Sequence, residues 1–376
     1  MNNLIDVFNL FFCNCKKLFP CSVSILDGKM SFNVYSESMV VLNKIADKFS
    51  YYFSVSDIAC DNSICQLGAS LNRVSNEVCS YIRKHGKLIT IHLGSRRDQC
   101  RDGFRIEHEG FVFVLLNYSN TLVVINSKRR KILCVNSDEN KLAIDIVRIA
   151  KDNIITRLME LNGWYIYHGG AVLFDGLVFL FLGEGGTGKT TSMLQICSQG
   201  GYLISNDRVF INANTNEIYG LPEDISVGQG CIDSIPALRK FFTVEKPSYR
   251  SSQEKIMFPL SNFSTVFNSR LLPKAHKIDF VLFPDCCPSL ELDIPLLEHV
   301  NEDSFSEFIL KYCLSPYDVE HPHWTEMFSL DEQIVKMGQA SIHSKLKFAC
   351  PTYLHYSSAK TVDWNFIKER LCSYEF

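Results

Sequence analysis

The sequence predicts an α/β chain in two parts, a strand-rich α+β domain over residues 1–135 and an α/β domain over residues 136–376 built around a glycine-rich loop. Three observations carry this reading. At 376 residues and 46% hydrophobic content, the chain is long enough to fill two cores. Its first third alternates short strand-like runs with polar breaks and holds no recognisable catalytic cluster. In the middle, the apolar run Leu177 to Leu182 leads straight into Gly183-Glu184-Gly185-Gly186-Thr187-Gly188-Lys189-Thr190, and a helical pattern leaves it from Thr190 to Ser198.

Along the chain, Leu4 to Phe12 is apolar but contains Asp6 and follows no basic residue, so it does not read as a secretory signal. Leu88 to Ile91 and Gly110 to Leu116 read as strands. Leu122 to Ile125 and Ile132 to Val135 read as a hairpin with Lys128-Arg129-Arg130-Lys131 at its solvated tip. From Asn140 to Asn162 the apolar positions Leu142, Ile146, Ile149, Ile154, Ile155 and Leu158 recur at helical spacing until Gly163. The domain boundary is placed just before that helix. Ala171 to Phe174 and Leu177 to Leu182 are joined by Asp175-Gly176, a strong two-residue hairpin signal, which gives the strand before the loop an antiparallel neighbour. Gly200-Gly201 ends the helix after the loop, and the next apolar run delivers Asp207 18 residues beyond Lys189. Gly220-Leu221-Pro222 and Val227 to Gly230 read as turns, and Ile278 to Phe283 is a further strand-like run that ends near Asp285.

The loop has a definite chemistry. Glycines at 183, 185, 186 and 188 let backbone N–H groups turn inward around a polyphosphate, and the following helix N-terminus adds positive partial charge. Lys189 is suited to bridge terminal phosphates, and the Thr190 hydroxyl to hold Mg²⁺. Glu184, Thr187 and Thr191 complete the expected nucleotide-binding set. Asp207 is a further Mg²⁺ ligand candidate.

Composition excludes other classes. A net charge of −3 argues against nucleic acid as a partner, and no apolar run reaches the ~18 to 20 residues of a membrane helix, so a cytoplasmic protein is expected. The fifteen cysteines include no Cys-x-x-Cys pair and read as reduced, mostly buried thiols rather than a disulfide framework or zinc site. His321-Pro322-His323 has no acidic or cysteine partner at ligand spacing and reads as a pair of partly exposed structural histidines.

His168-Gly169-Gly170, the Asp-Gly hairpin, the glycine-rich loop and Tyr202-Leu203-Ile204-Ser205-Asn206-Asp207-Arg208-Val209 follow one another at close spacing. In this order they resemble the HPr kinase/phosphorylase family, whose P-loop core is shared with ATP-dependent phosphoenolpyruvate carboxykinase. Relatives include kinases of ribosomal peptide precursors, lasso peptides among them, and of free serine. The resemblance covers residues 160–230 and implies a C-terminal P-loop kinase domain behind an N-terminal α+β accessory domain that helps recognise the acceptor. It further implies ATP- and Mg²⁺-dependent transfer of a γ-phosphoryl group to a hydroxyl, with His168, Lys189 and Asp207 as the catalytic set. The chain departs from the family at Asn206, where the first of two paired acidic residues is expected; an amide cannot take a proton from a hydroxyl.

Arg239, Lys240, Arg250 and Lys255 are candidates for stabilising charge on the transferred group, Arg250 and Lys255 foremost. Asp285 is the alternative Mg²⁺-linked aspartate. The acceptor class stays open among a peptide or protein serine and a small alcohol, and homo-oligomerisation is compatible with the sequence. A GTPase reading lacks its guanine-reading element, since Asn43-Lys44-Ile45-Ala46 has no aspartate and precedes the loop. The competing function is a nucleotide-binding regulator or NTPase without phosphoryl transfer, which the loss of the acidic pair at Asn206 favours.

Overall fold

The computed structural model describes residues 1–93, 100–245, 255–275, 277–286, 295–349, 351–356 and 361–373. It is a mixed α/β protein of two compact units, Met1–Asn162 with Tyr317–Leu330, and Gly163–Pro316 with Asp331–Phe376. The expected boundary at residue 135 therefore lies inside the first unit. The helical stretch after it buries Leu142, Ile146 and Ile149 and packs on the N-terminal sheet.

The first unit contains strands β1 (Phe19–Ile25), β2 (Met30–Ser36), β3 (Ser54–Ser56), β4 (Cys65–Ser70), β5 (Lys87–His92), β6 (Arg101–His108), β7 (Phe111–Leu116), β8 (Leu122–Asn126) and β9 (Lys131–Val135). They form one sheet in the order β3-β1-β2-β4-β9-β8-β7-β6-β5, with β2, β4 and β9 parallel and the remaining pairs antiparallel. Its helices are α1 (Asn2–Cys13), α2 (Met39–Phe49), α3 (Asn76–His85), α4 (Glu139–Ile149) and α5 (Thr156–Leu161). The apolar stripe of α1, Phe8, Phe11 and Phe12, joins Ile82 of α3 and Phe113, Leu115, Leu133 and Val135 of the sheet in a single core. The intervening Ile132 and Cys134 are buried too, so β9 is covered on both faces. One helix was expected from Asn140 to Asn162. Instead the wider turn Ala150–Ile155 separates α4 from α5, and Gly163 at φ 76° ends the stretch.

The segment Tyr317–Leu330 returns to this first unit. Arg105 grips both carboxylate oxygens of Glu326 at 2.7 and 2.8 Å, Leu93 N donates to Glu320 O, and Thr325 N donates to Asn153 Oδ1. The His321-Pro322-His323 histidines are more enclosed than expected and do have acidic neighbours. His321 Nδ1 lies 3.1 Å from Asp318, and His323 Nε2 lies 3.6 Å from Glu160. Those distances place each imidazole beside a carboxylate of the first unit.

The second unit contains β10 (Trp164–Phe174), β11 (Leu177–Leu182), β12 (Tyr202–Ser205), β13 (Arg208–Asn212), β14 (Ile218–Gly220), β15 (Ile225–Val227), β16 (Ile256–Phe258), β17 (Lys274–Ala275), β18 (Phe280–Cys286), β19 (Leu296–His299) and β20 (Thr352–Tyr356). Its helices are α6 (Lys189–Ser198), α7 (Gln229–Ser234), α8 (Pro236–Glu245), α9 (Phe263–Phe267), α10 (Glu302–Tyr312), α11 (Glu332–Leu346) and α12 (Trp364–Cys372). The main sheet runs β17-β14-β13-β10-β11-β18-β20-β19, with β12 also paired to β10. The hairpin between β10 and β11 turns on Asp175 and Gly176, both in the left-handed region that a two-residue turn of this type demands. Beyond it β11, β18 and β20 are parallel, so their carboxyl ends emerge on one edge with the Gly183–Gly188 loop.

Among the described residues no helix is long and apolar enough to cross a membrane. The thirteen described cysteines are free thiols. Two short strands, β14 and β15, run up to the expected turns at Gly220 and Val227, and bury Ile218, Ile225 and Val227. The basic tetrad is engaged locally: Arg129 Nη1 donates to Asn9, Arg130 lies over Phe328 and Lys131 over Phe12.

Candidate functional site

The loop after β11 is shaped from both sides. Gly186 and Gly188 sit at φ 95° and 100°. From outside, Cys286 N at the end of β18 donates to Thr187 O at 3.0 Å, and the Tyr356 hydroxyl at the end of β20 donates to Gly188 O at 3.1 Å. That hydroxyl also lies 2.8 Å from Ser192 Oγ, tying the first turn of α6 to the same tyrosine. From inside, Lys189 Nζ donates to Gly183 O at 2.7 Å and Glu184 O at 2.8 Å. The lysine is 6% exposed, and burial, partly offset by the Asp207 carboxylate and reinforced by the Lys255 charge, brings its pKa down to about 8.

His168 lies in the middle of β10, not at a strand start, because the strand already begins at Trp164. Its Nε2 is 3.3 Å from Lys189 Nζ and its Nδ1 is 4.0 Å from Asp207 Oδ1. An ammonium only donates, so Nε2 accepts and the ring proton sits on Nδ1, facing the aspartate. Lysine, imidazole and carboxylate thus form a row across the mouth of the loop.

The bend between β12 and β13 sets Asn206 and Asp207. Ser205 Oγ donates to Arg208 O and accepts from Leu221 N, and Gly169 N donates to Asp207 O at 2.9 Å. Asn206 is 5% exposed and its Oδ1 accepts from Thr190 Oγ1 at 3.4 Å, while the Asp207 side chain is 53% exposed. Backbone approach here is close enough to require glycine at 170, since a Cβ would overlap the Met193 side chain and stand 2.5 Å from Asn206 O. Gly170→Ala is therefore expected to lower stability by about 1–3 kcal/mol, the usual range for overpacking, and to shift the Asn206–Asp207 bend. Denaturant unfolding checks the first effect.

Other expected residues are placed as follows. Lys255 is close enough to act on Lys189 electrostatically. Arg239 donates to Asp233 O at the end of α7, and Arg250 lies outside the described residues. Asp285 is the penultimate residue of β18, but it pairs with His355 Nδ1 at 3.1 Å and has no resolved influence on Lys189. Three neighbours of the site escaped the sequence reading: Tyr356, Cys286 and Lys311. The Lys311 ammonium of α10 lies 2.7 Å from Glu184 Oε1, which holds the Glu184 carboxyl below and the Lys311 ammonium above its ordinary range. No motif announces these residues, because parallel pairing and helix packing bring them in from far along the chain.

The chain matches no family model, and no curated protein compared with it is recognisably similar.

Proposed function

We propose that the second unit is an ATP- and Mg²⁺-dependent kinase domain of the HPr kinase type, transferring the γ-phosphoryl group to a hydroxyl. The observation that carries this reading is the buried Lys189 ammonium, held on the Gly183 and Glu184 carbonyls at the N-terminus of α6, with His168 and Asp207 in line beyond it. A charge kept 6% exposed in an enclosed loop is costly to fold around, and an anionic ligand gives it a purpose.

Residues 183–191 cradle the phosphates, and Lys189 moves from the loop carbonyls to the terminal phosphate oxygens. The Lys189–His168 contact then breaks and frees Nε2 as an acceptor. Asp207, helped by His168, orients the acceptor hydroxyl and takes its proton. The Thr190 hydroxyl, the Asp207 carboxylate and the Asn206 amide oxygen are the hard donors Mg²⁺ favours, and they would hold it. When bound, Mg²⁺ supplies charge neutralisation on the phosphates. Lys255 and Lys311 add positive charge at the rim. The acceptor is a serine of a peptide or protein, or a small alcohol, which suits tailoring of a peptide natural product. The first unit is proposed to help recognise it.

Transfer of label from γ-labelled ATP to a component of a source lysate tests the proposal, with hydrolysis alone indicating an NTPase. Binding is expected to need Mg²⁺ and to favour ATP over adenosine, and equal affinity for adenosine in calorimetric titration rules out a phosphate-centred site. The neutral Asn206 supports a second reading, a nucleotide-binding regulator, which binding without transfer would favour.

A further inference from the structure

The first unit contains a cavity of about 230 Å³, open on one side, outside the carboxyl ends of the adjacent parallel strands β4 and β9. Carboxyl ends of parallel strands are where open α/β sheets place ligands, because the departing loops leave a crevice there. The loop after β4 contributes Arg73 and Val74, the start of α3 contributes Asn76, and the loop after β9 contributes Asn136 and Ser137. Arg83 of α3 and Asn120 of the β7–β8 turn close it, over the core residue Cys79.

The lining is chemically one-sided. It holds two guanidinium groups, three carboxamides and a hydroxyl, and no carboxylate. Part of the wall is fixed before any ligand arrives. Asn136 is buried, donates to Ser119 O at 3.2 Å and Thr121 Oγ1 at 2.8 Å, and receives Asp138 N. Its own N–H donates to Ser70 O, which joins the two strand ends. Arg83 Nη2 donates to Asn120 Oδ1 at 2.5 Å, leaving its other N–H groups available. Arg73 has no hydrogen-bond or ion-pair partner among the described residues. Arginine forks with N–H groups to spare match the paired oxygens of a carboxylate or phosphate, and the amides suit the hydroxyl or carbonyl groups of a small polar molecule.

We infer that this cavity binds a small molecule bearing an oxyanion, gripped by Arg73 and Arg83 and oriented by Asn76 and Asn120 against the wall that Asn136 fixes. The site lies wholly within the first unit and does not depend on the kinase reading.

The test uses the full chain carrying Lys189→Ala, so that the glycine-rich loop does not compete for anions. Succinate and glycerol 3-phosphate are titrated by calorimetry at fixed ionic strength, and the preferred probe identifies the oxyanion as carboxylate or phosphate. At least one is expected to bind, with affinity falling tenfold or more on adding Arg73→Ala and Arg83→Ala. Ser137→Asp, at an exposed lining position, is expected to weaken binding as strongly by putting a negative charge in the wall, while leaving the melting temperature unchanged. Failure of both probes to bind, or binding that survives both changes, overturns the inference.

Discussion

Lys189→Ala is expected to reduce phosphoryl transfer by at least about a hundredfold, the scale on which a preorganised charge at a developing anion acts, while the chain stays folded. The side chain supports no apolar core; it fills the loop with a charge. Lowering its pKa from 10.5 to about 8 corresponds to a cost of about 3 kcal/mol for burying the protonated form. Below pH 8 both folded and unfolded chains hold the proton, so the full cost is present. Between pH 8 and 10.5 the unfolded chain binds more protons than the folded one, so stability rises with pH, and above 10.5 the cost is gone. Lys189→Met, which keeps the volume without the charge, is thus expected to be at least as stable as the wild type below pH 8, with the margin shrinking toward pH 10.5. ATP affinity of the wild type moves the other way and falls as pH rises past about 8. Thermal melts and ATP titrations across this range check both trends, and a Lys189→Met chain that melts well below wild type at pH 7 would contradict the account.

Asp207→Asn is expected to lower transfer by at least about a hundredfold, the low end of what positioned acid–base groups supply, with ATP still bound. Single-turnover kinetics separate the two. The residue is the carboxylate that faces His168 Nδ1 and acts on Lys189, whereas Asp285 is engaged with His355. Near-full activity in Asp207→Asn would reject its role and make Asp285 the next position to test. Asn206→Asp restores a paired carboxylate beside Thr190 and is expected to retain activity or raise the reverse, phosphate-removing reaction.

The elements set by local rules were readable in advance. Asp175-Gly176 demanded a two-residue turn, Gly200-Gly201 closed α6, and the apolar run before Gly183 became β11. The spacing from Lys189 to Asp207 also carried real information, since the return strand brings that carboxylate into the field of the lysine. What stayed illegible depends on distant partners. Tyr356 braces the loop only because β20 lies parallel to β18, and Lys311 reaches Glu184 only through the packing of α10. The helix from Asn140 was visible, but its allegiance was not: an amphipathic stripe declares that it will be buried, without saying against which sheet.

The return of Tyr317–Leu330 to the first unit governs the order in which this protein can be completed during synthesis. The guanidinium of Arg105 waits for Glu326, and Asn153 for Thr325, until some two hundred further residues have left the ribosome. The nascent N-terminal part must meanwhile survive with that seam unfilled. A fragment ending at residue 162 reproduces this unfinished state permanently, so proteolysis of that fragment is expected to open first along β6 and the wide turn Ala150–Ile155, the surfaces from which the closing segment is missing.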